Sequence, residues 1–366
     1  MPHPTIDNRT AFTADALHLV DEEFRPLLTL IVKASLDILP GGSLARSAES
    51  LPLELGGQFQ YPEAEGESSY RYEPEAAPYK LATDVVLLAH AYAPGPGTAR
   101  MDIRFRVGPV AKSAHVWGDR TWFRSLGIVR MSRPAVFTSL PITYERAFGG
   151  WDRSAGKSVY CYEPRNPVGQ GFHALPSTHQ EAAALPNIED PTHPIVRPHD
   201  TPPPAGFGFV SPNWQPRARL AGTFDAAWSK HRCPLLPTDF DRRHFNAASP
   251  GLVAPGYLRG NEEVQACGLS PEPTLRFCLP GIPAPTAVIH LQRQHDQAPP
   301  LRLDTVIVDL DARRLVMLWR ATVPLDDGPH ALRGVLFESP ASHELPRATA
   351  SEGRPLAANQ AHQEKL

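Results

Sequence analysis

DTVIVDL (Asp304–Leu310) and RLVMLWRATV (Arg314–Val323) flank the triplet Asp311-Ala312-Arg313. Both segments are rich in β-branched and aromatic residues and have strand length, and together they carry the pattern of a β-hairpin. Working toward the N terminus, Thr286–Gln292 and Leu275–Leu279 read as further strands, the second ended by Pro280-Gly281. ARMDIRFRV (Ala99–Val107) alternates apolar with polar residues, and AHVWG (Ala114–Gly118) supplies a short strand. TDVVLLAHAY (Thr83–Tyr92) is a continuous apolar run, expected to be a strand buried on both faces. These last three segments are joined by short turns, including PGPG at Pro94–Gly97, and are expected to form an antiparallel meander. In Leu28–Leu39, Val32, Ala34, Leu36 and Ile38 alternate with Lys33, Ser35 and Asp37, the signature of a half-buried strand. Leu140–Phe148 fits either a strand or a short helix and is broken by Gly149-Gly150-Trp151-Asp152.

The 366 residues include 41 prolines, about twice average usage. That proline content limits continuous helix and favours loops and short strands. The expected fold is therefore mainly β, with packed antiparallel sheets, long ordered Pro/Gly-rich loops and few short helices. The expected organisation is a lead-in over 1–27, one large β-rich domain over 28–330 with a possible subdivision near 186–206, and a weakly ordered tail over 331–366. The loop from Asn166 to Phe209 carries Phe172, Ile188, Ile195 and Phe207, which favours packing on the body over a free linker.

A net charge of −3 gives no general basic surface for nucleic acid or anionic lipid. The first residues carry Asp and Glu where a secretory peptide needs an apolar run, and Leu27–Ile38 is too short to span a bilayer. The expected location is the cytoplasm, with no membrane contact. Cys161, Cys233, Cys267 and Cys278 form no CxxC pair, and the expectation is four buried, reduced thiols.

Most chemistry-bearing residues gather between Leu220 and Pro280: Trp228, Arg232, Asp239, Asp241, Arg242, Arg243, His244, Asn246 and Glu262. One reading is catalytic, a divalent cation held by Asp239, Asp241 and His244 in a metal-assisted hydrolase. The other is architectural, with Trp228, Arg232, Asp239, Asp241, Arg242, Arg243, Asn246 and Glu262 as a structural polar cluster. The alternation of opposite charges in DFDRRHF favours the second. His231-Arg232-Cys233 lacks an acid to orient a base, and neither Ser125 nor Ser139 sits in a G-x-S-x-G turn. No Walker A motif occurs, and Gly206-Phe207-Gly208 follows prolines instead of a strand. The residues thus point to no catalytic set, cofactor, resident metal or small-molecule substrate. Trp151, Trp214 and Trp228 are candidate binding anchors. In the loop Asn187–Trp214, Phe207, Phe209 and Trp214 are the expected partner-binding residues, set against a role in pinning that loop to the core.

The ordered phrases TDVVLLAHAYAPG (Thr83–Gly95), FRVGP (Phe105–Pro109), VWGDRTW (Val116–Trp122) and LPITYERAFGGWD (Leu140–Asp152) carry a resemblance. They continue through NPVGQGF (Asn166–Phe172), LPNIEDP (Leu185–Pro191), PAGFGFVSPNWQPR (Pro204–Arg217), GTFDAAW, PLLPTDFDRRHFNAA and LRGNE. Over about Thr29–Val323 the chain resembles the DUF2169 family. The resemblance implies an accessory protein of bacterial type VI secretion, a non-catalytic adaptor or effector chaperone. Its implied partners are a toxin effector and VgrG or PAAR spike proteins, with a structural component of the spike as an alternative. It implies no established active site.

Overall fold

The hairpin is the middle of a six-stranded sheet in the computed structural model, which describes residues 5–64, 66–152, 161–174, 183–292, 295–326 and 328–339. Arg302–Asp309 runs antiparallel to Arg314–Pro324, and Arg313 takes up the turn with φ +50°. Arg314–Pro324 pairs over its whole length with Pro26–Ile38, from Arg314 opposite Asp37 to Pro324 opposite Leu27. Thr13–Val20 pairs antiparallel with Pro26–Ile38, so part of the expected lead-in is a strand of the main sheet.

On the far side Asp84–Leu88 pairs parallel to Arg302–Asp309. The expected meander is therefore wrong in its first member. Asp84–Leu88 is buried throughout, as the apolar run predicts, but the chain leaves this sheet at Ala89, and His90–Tyr92 pairs with Ser139–Pro141. Proximity in sequence was the misleading signal, because PGPG joins two different sheets. The second sheet holds the hairpin Arg100–Val107/Val110–Trp117, together with Glu263–Cys267, Thr274–Cys278 and Ile188–Glu189. Ile103, Phe105 and Val107 point inward and Asp102, Arg104 and Arg106 outward, the two-residue period of a sheet with one wet face.

Leu30, Val32, Leu36, Val85, Leu87, Met317 and Trp319 of the first sheet share one contiguous core with Phe105, Val116, Val264 and Phe277 of the second. The other face of the first sheet differs from the half-buried expectation. Lys33 and Ser35 are only 2% and 3% exposed, because residues 47–54 and 71–83 form a roof over that face. Lys33 donates to Pro52 O at 2.8 Å, Ser35 Oγ accepts from Leu51 N at 3.2 Å, and Arg320 donates to Glu75 O and Ala77 O at 2.9 and 2.5 Å.

Leu332–Glu338 corrects the expected tail. It lies between Thr286–Leu291 (antiparallel) and Thr5–Asn8 (parallel), with Phe337 fully buried and Val335 1% exposed. Gly334 blurs its apolar period, and the glycine is needed, since a Cβ there would sit 2.8 Å from Thr5 O. The rest of the expected tail, 340–366, lies outside the described residues.

Leu140–Phe148 becomes a short strand, Ser139–Pro141, and a 3₁₀ turn, Tyr144–Arg146. Among the described residues the α-helices are Arg217–Leu220 and Ala226–His231, and no helix is long and apolar enough to cross a membrane. The described part of the loop to Phe209 packs on the body, with Asn187 and Phe207 fully buried and Ile188 nearly so. All four cysteines are free but none is buried, contrary to expectation, and Cys233 and Cys278 are exposed.

If Leu332–Glu338 is core, Phe337→Ala lowers stability by about 3–5 kcal/mol, read as a fall in the urea midpoint. A loss under about 1 kcal/mol is the outcome expected of a loose tail.

Candidate functional site

The polar residues between Leu220 and Pro280 mostly serve local turns. Asp225 caps Ala226–His231 by accepting from Trp228 N at 2.8 Å. Trp228 Nε1 donates to Leu235 O at 2.9 Å, and Arg232 donates to Leu236 O at 2.7 Å and pairs with Glu23 at 2.6 Å. Asp239 accepts from Thr223 N and Oγ1 at 2.9 and 2.8 Å. Asp241 caps the 3₁₀ turn Arg242–Phe245 through Arg243 N at 2.9 Å and pairs with the Arg243 guanidinium at 2.5 Å. Arg242 pairs with Glu22 at 2.7 Å, and Glu262 accepts from Arg259 N and Gly260 N at 2.7 and 2.9 Å.

Asp239, Asp241 and His244 therefore do not converge. Hydrogen bonds from Thr223 hold the Asp239 carboxyl below its usual range, and those from Arg243 do the same for Asp241. His244 Nδ1 donates to Arg217 O at 3.0 Å, and burial lowers its ring. Among the described residues no cluster of three or more His, Cys, Asp or Glu side chains is placed to hold a metal ion. Asp239 and Asp241 also lie nearer the surface than a buried cluster requires. Only Asn246 reaches the interior, donating to Ala82 O at 2.8 Å and to Asp84 Oδ1 at 3.0 Å.

The buried charges lie elsewhere, between the roof and the polar face of the first sheet. Lys33 pairs with Glu75 at 2.7 Å, Lys80 with Asp84 at 2.7 Å, Arg320 with Asp304 at 2.5 Å and Arg71 with Asp309 at 2.7 Å. Arg217 joins Glu73 at 2.5 Å. Burial pushes the Glu73 and Glu75 carboxyls up against the pull of Arg217 and Lys33. Burial depresses Lys80, but Asp84, Glu73 and Asp304 outweigh it and leave the ammonium raised. The sequence held a signal for this row, since Lys33 and Arg320 are charges inside otherwise apolar strands.

Phe207 and Phe209 are buried away from solvent, whereas Trp214, though buried, contributes to the lining of a cleft. The three are 0%, 2% and 4% exposed. Trp214 meets Tyr144 edge-on at 5.4 Å, and Phe207 lies 5.4 Å beneath the Lys112 ammonium. Gly206 makes that packing possible, because a Cβ there would stand 2.1 Å from the Tyr144 ring. These rings pin the loop to the core.

The rings that do reach solvent are others. Trp151 and Tyr162 stack at 4.5 Å and are 42% and 41% exposed, while Phe59 stacks on Tyr70 at 4.8 Å. The two pairs, with Ser211, Asn213 and the backbone at Gly150 and Gly169, line a cleft of about 620 Å³. Its floor is tight, since a Cβ on Gly150 would meet Gly169 O at 2.3 Å. Trp151 was legible as a candidate, and Ser211–Trp214 falls in the singled-out loop. Phe59, Tyr70 and Tyr162 come from distant segments with no local pattern to join them. Flat aromatic faces beside backbone and small polar groups suit an extended polypeptide, proline included. A second cleft of about 590 Å³ opens beside Arg25, Arg242, Arg302 and Asp326, above Lys80, Asp304 and Arg320.

Two measurements separate the surface charges from the buried ones. Asp304→Ala strands Arg320 in the interior and costs about 3–5 kcal/mol. Asp241→Ala removes one turn cap and costs about 1 kcal/mol, both read by denaturant titration. Lys112 supplies a pH test. Its ammonium donates to Ser249 Oγ at 2.7 Å and Pro250 O at 2.9 Å, and burial lowers its pKa from 10.5 to about 8. Between those values the unfolded chain binds more protons, so this group adds stability as pH rises above about 8. The urea midpoint difference between wild type and Lys112→Met therefore shifts in favour of wild type from pH 7.5 to pH 9.5.

Neither the curated proteins nor the solved structures include a match to this chain. A family model described as an uncharacterized protein conserved in bacteria (DUF2169) matches residues 23–320, a span that takes in the second sheet, the aromatic cleft and the first sheet except for Thr13–Val20 and the end of Arg314–Pro324. The chain is a member of the DUF2169 family.

Proposed function

We propose that the protein is a non-catalytic cytoplasmic adaptor that binds a toxin effector of bacterial type VI secretion and assists its loading onto a VgrG or PAAR spike protein. The ordered family phrases support the secretion setting, and the aromatic cleft supports polypeptide binding. The observation that carries the reading is the pair Trp151 and Tyr162, stacked on each other yet each about two-fifths exposed. Aromatic anchors of this kind supply much of the energy of protein interfaces. A metal-assisted hydrolase built on Asp239, Asp241 and His244 is the weaker reading, because each of the three is engaged by a different partner.

The test is co-expression with the genes that flank this one. Wild type is expected to co-purify a toxin, and Trp151→Ala/Tyr162→Ala to weaken that binding by about 2 kcal/mol, near thirtyfold in Kd. The melting curve is expected to change little, since both rings are surface-exposed. Unchanged binding by the double variant removes the cleft from the proposal. Turnover of a substrate by the purified chain, with delivery of the toxin unaffected by its deletion, overturns the adaptor reading altogether.

A further inference from the structure

The hairpin Trp122–Ser125/Ile128–Met131 departs from the rule that one face of a surface sheet is apolar and the other polar. Its inner residues Trp122, Val129 and Met131 pack on Phe148, Leu185 and Ile195. Its outer face also carries apolar groups, with Phe123 40% and Ile128 57% exposed. Phe123 stands opposite Arg130, and Ser125 opposite Ile128. The turn is stranger still. Leu126 and Gly127 have φ of +51° and +78°, the backbone for which Asn-Gly is preferred, and Leu126 is 96% exposed. A leucine in that conformation gains nothing from the fold that holds it.

The hairpin also has an open edge. Trp122 N donates to Ala183 O at 2.9 Å on one side, but among the described residues the sheet has two strands, and none lies beyond Ile128–Met131. Ser132 N donates inward to Thr121 O at 2.9 Å, so the alternation of an antiparallel ladder turns the main-chain groups of Val129 and Met131 outward. From Arg120 to Tyr144 the chain contains Arg120, Arg124, Arg130 and Arg133 and no Asp or Glu, although its net charge is −3. Arg120 is buried against Glu189 at 2.6 Å, while Arg124, Arg130 and Arg133 are exposed around the hairpin.

We propose that this hairpin is a docking edge for an extended polypeptide strand of a partner, one face of which carries both apolar side chains and Asp or Glu. The incoming strand adds beside Ile128–Met131 through the main-chain groups of Val129 and Met131. On that face its apolar residues cover Ile128, Leu126 and Phe123, and a carboxylate two positions along meets Arg130, which shares the outer face with Ile128 and Phe123. A second copy of this chain is the poorer occupant, because edge-to-edge pairing of two such hairpins brings like charges together. The surface shares no lining residue with the aromatic cleft and does not depend on it.

The full-length chain is panned against a phage-displayed library of random peptides, and selected sequences are synthesised and titrated by fluorescence anisotropy. The expected winners place Asp or Glu two residues from Val, Ile, Leu or Phe, on one face of the strand. Their binding falls at least tenfold with Arg130→Glu, Ile128→Ser or Leu126→Asn, and weakens with added salt. Leu126→Asn creates the preferred turn pair, so its melting temperature is equal to or above that of wild type, which excludes misfolding as the cause. Hydrogen exchange at Val129 and Met131 slows in the complex. Neutral or basic winners, no winners, or binding that survives Ile128→Ser and Leu126→Asn overturn the proposal. Concentration-dependent self-association abolished by Leu126→Asn overturns it as well, by making a second copy the occupant.

Discussion

Charge held between the central sheet and its roof is the constraint on which the rest of the molecule depends. Lys33, Asp84, Asp304, Asp309 and Arg320 stand on or beside one face of that sheet, and Glu75, Lys80 and Arg71 close over or against them. Each charge alone in that interior costs several kcal/mol, so the sheet face and the segment over it are stable only together. Thr29 and Thr322 both donate to Pro78 O, and Thr83 Oγ1 donates to Leu303 O, so hydroxyls seal the same seam. A proline-rich loop that elsewhere would wander is held here as firmly as a strand.

That seam sets the position of everything on its far side. Asn246 and Ala247 N bind Asp84, and Arg217 binds both Glu73 and Val210 O, tying the stretch from Val210 to Ala247 to the roof. The buried rings Phe207, Phe209 and Trp214 then lock this stretch against Tyr144 and the core. Ser211 and Asn213 thereby become a fixed wall of the aromatic cleft. The buried Trp214 and the exposed pair Trp151 and Tyr162 are thus neighbours around one cleft.

β-Branched and aromatic content made the hairpin at Asp304–Val323 legible from the residues alone, and period-two alternation did so for the strand at Ala99–Val107. The same alternation in Leu28–Leu39 assigned faces correctly yet missed the roof, because a polar face against buried partners looks like a polar face against water. The pairing of Asp84–Leu88 with Arg302–Asp309 spans over two hundred positions and left no local trace. Leu332–Glu338 was obscured by a single glycine. For the cleft, composition identified Trp151 as a candidate, but whether an aromatic turns in or out is decided by close approaches such as Gly206 on Tyr144, which one sequence does not display.

The order in which the central sheet receives its strands has a consequence for biosynthesis. Pro26–Ile38 emerges from the ribosome early, but its principal neighbour, Arg314–Pro324, is made nearly three hundred residues later. At about 5–20 residues per second, the apolar face of that first strand waits many seconds without its mate. Pairing of such distant segments is also slow once both are present, since closure of the long intervening loop precedes any gain. A nascent chain of this protein therefore exposes an unpaired apolar face for longer than one whose sheet joins neighbours in sequence.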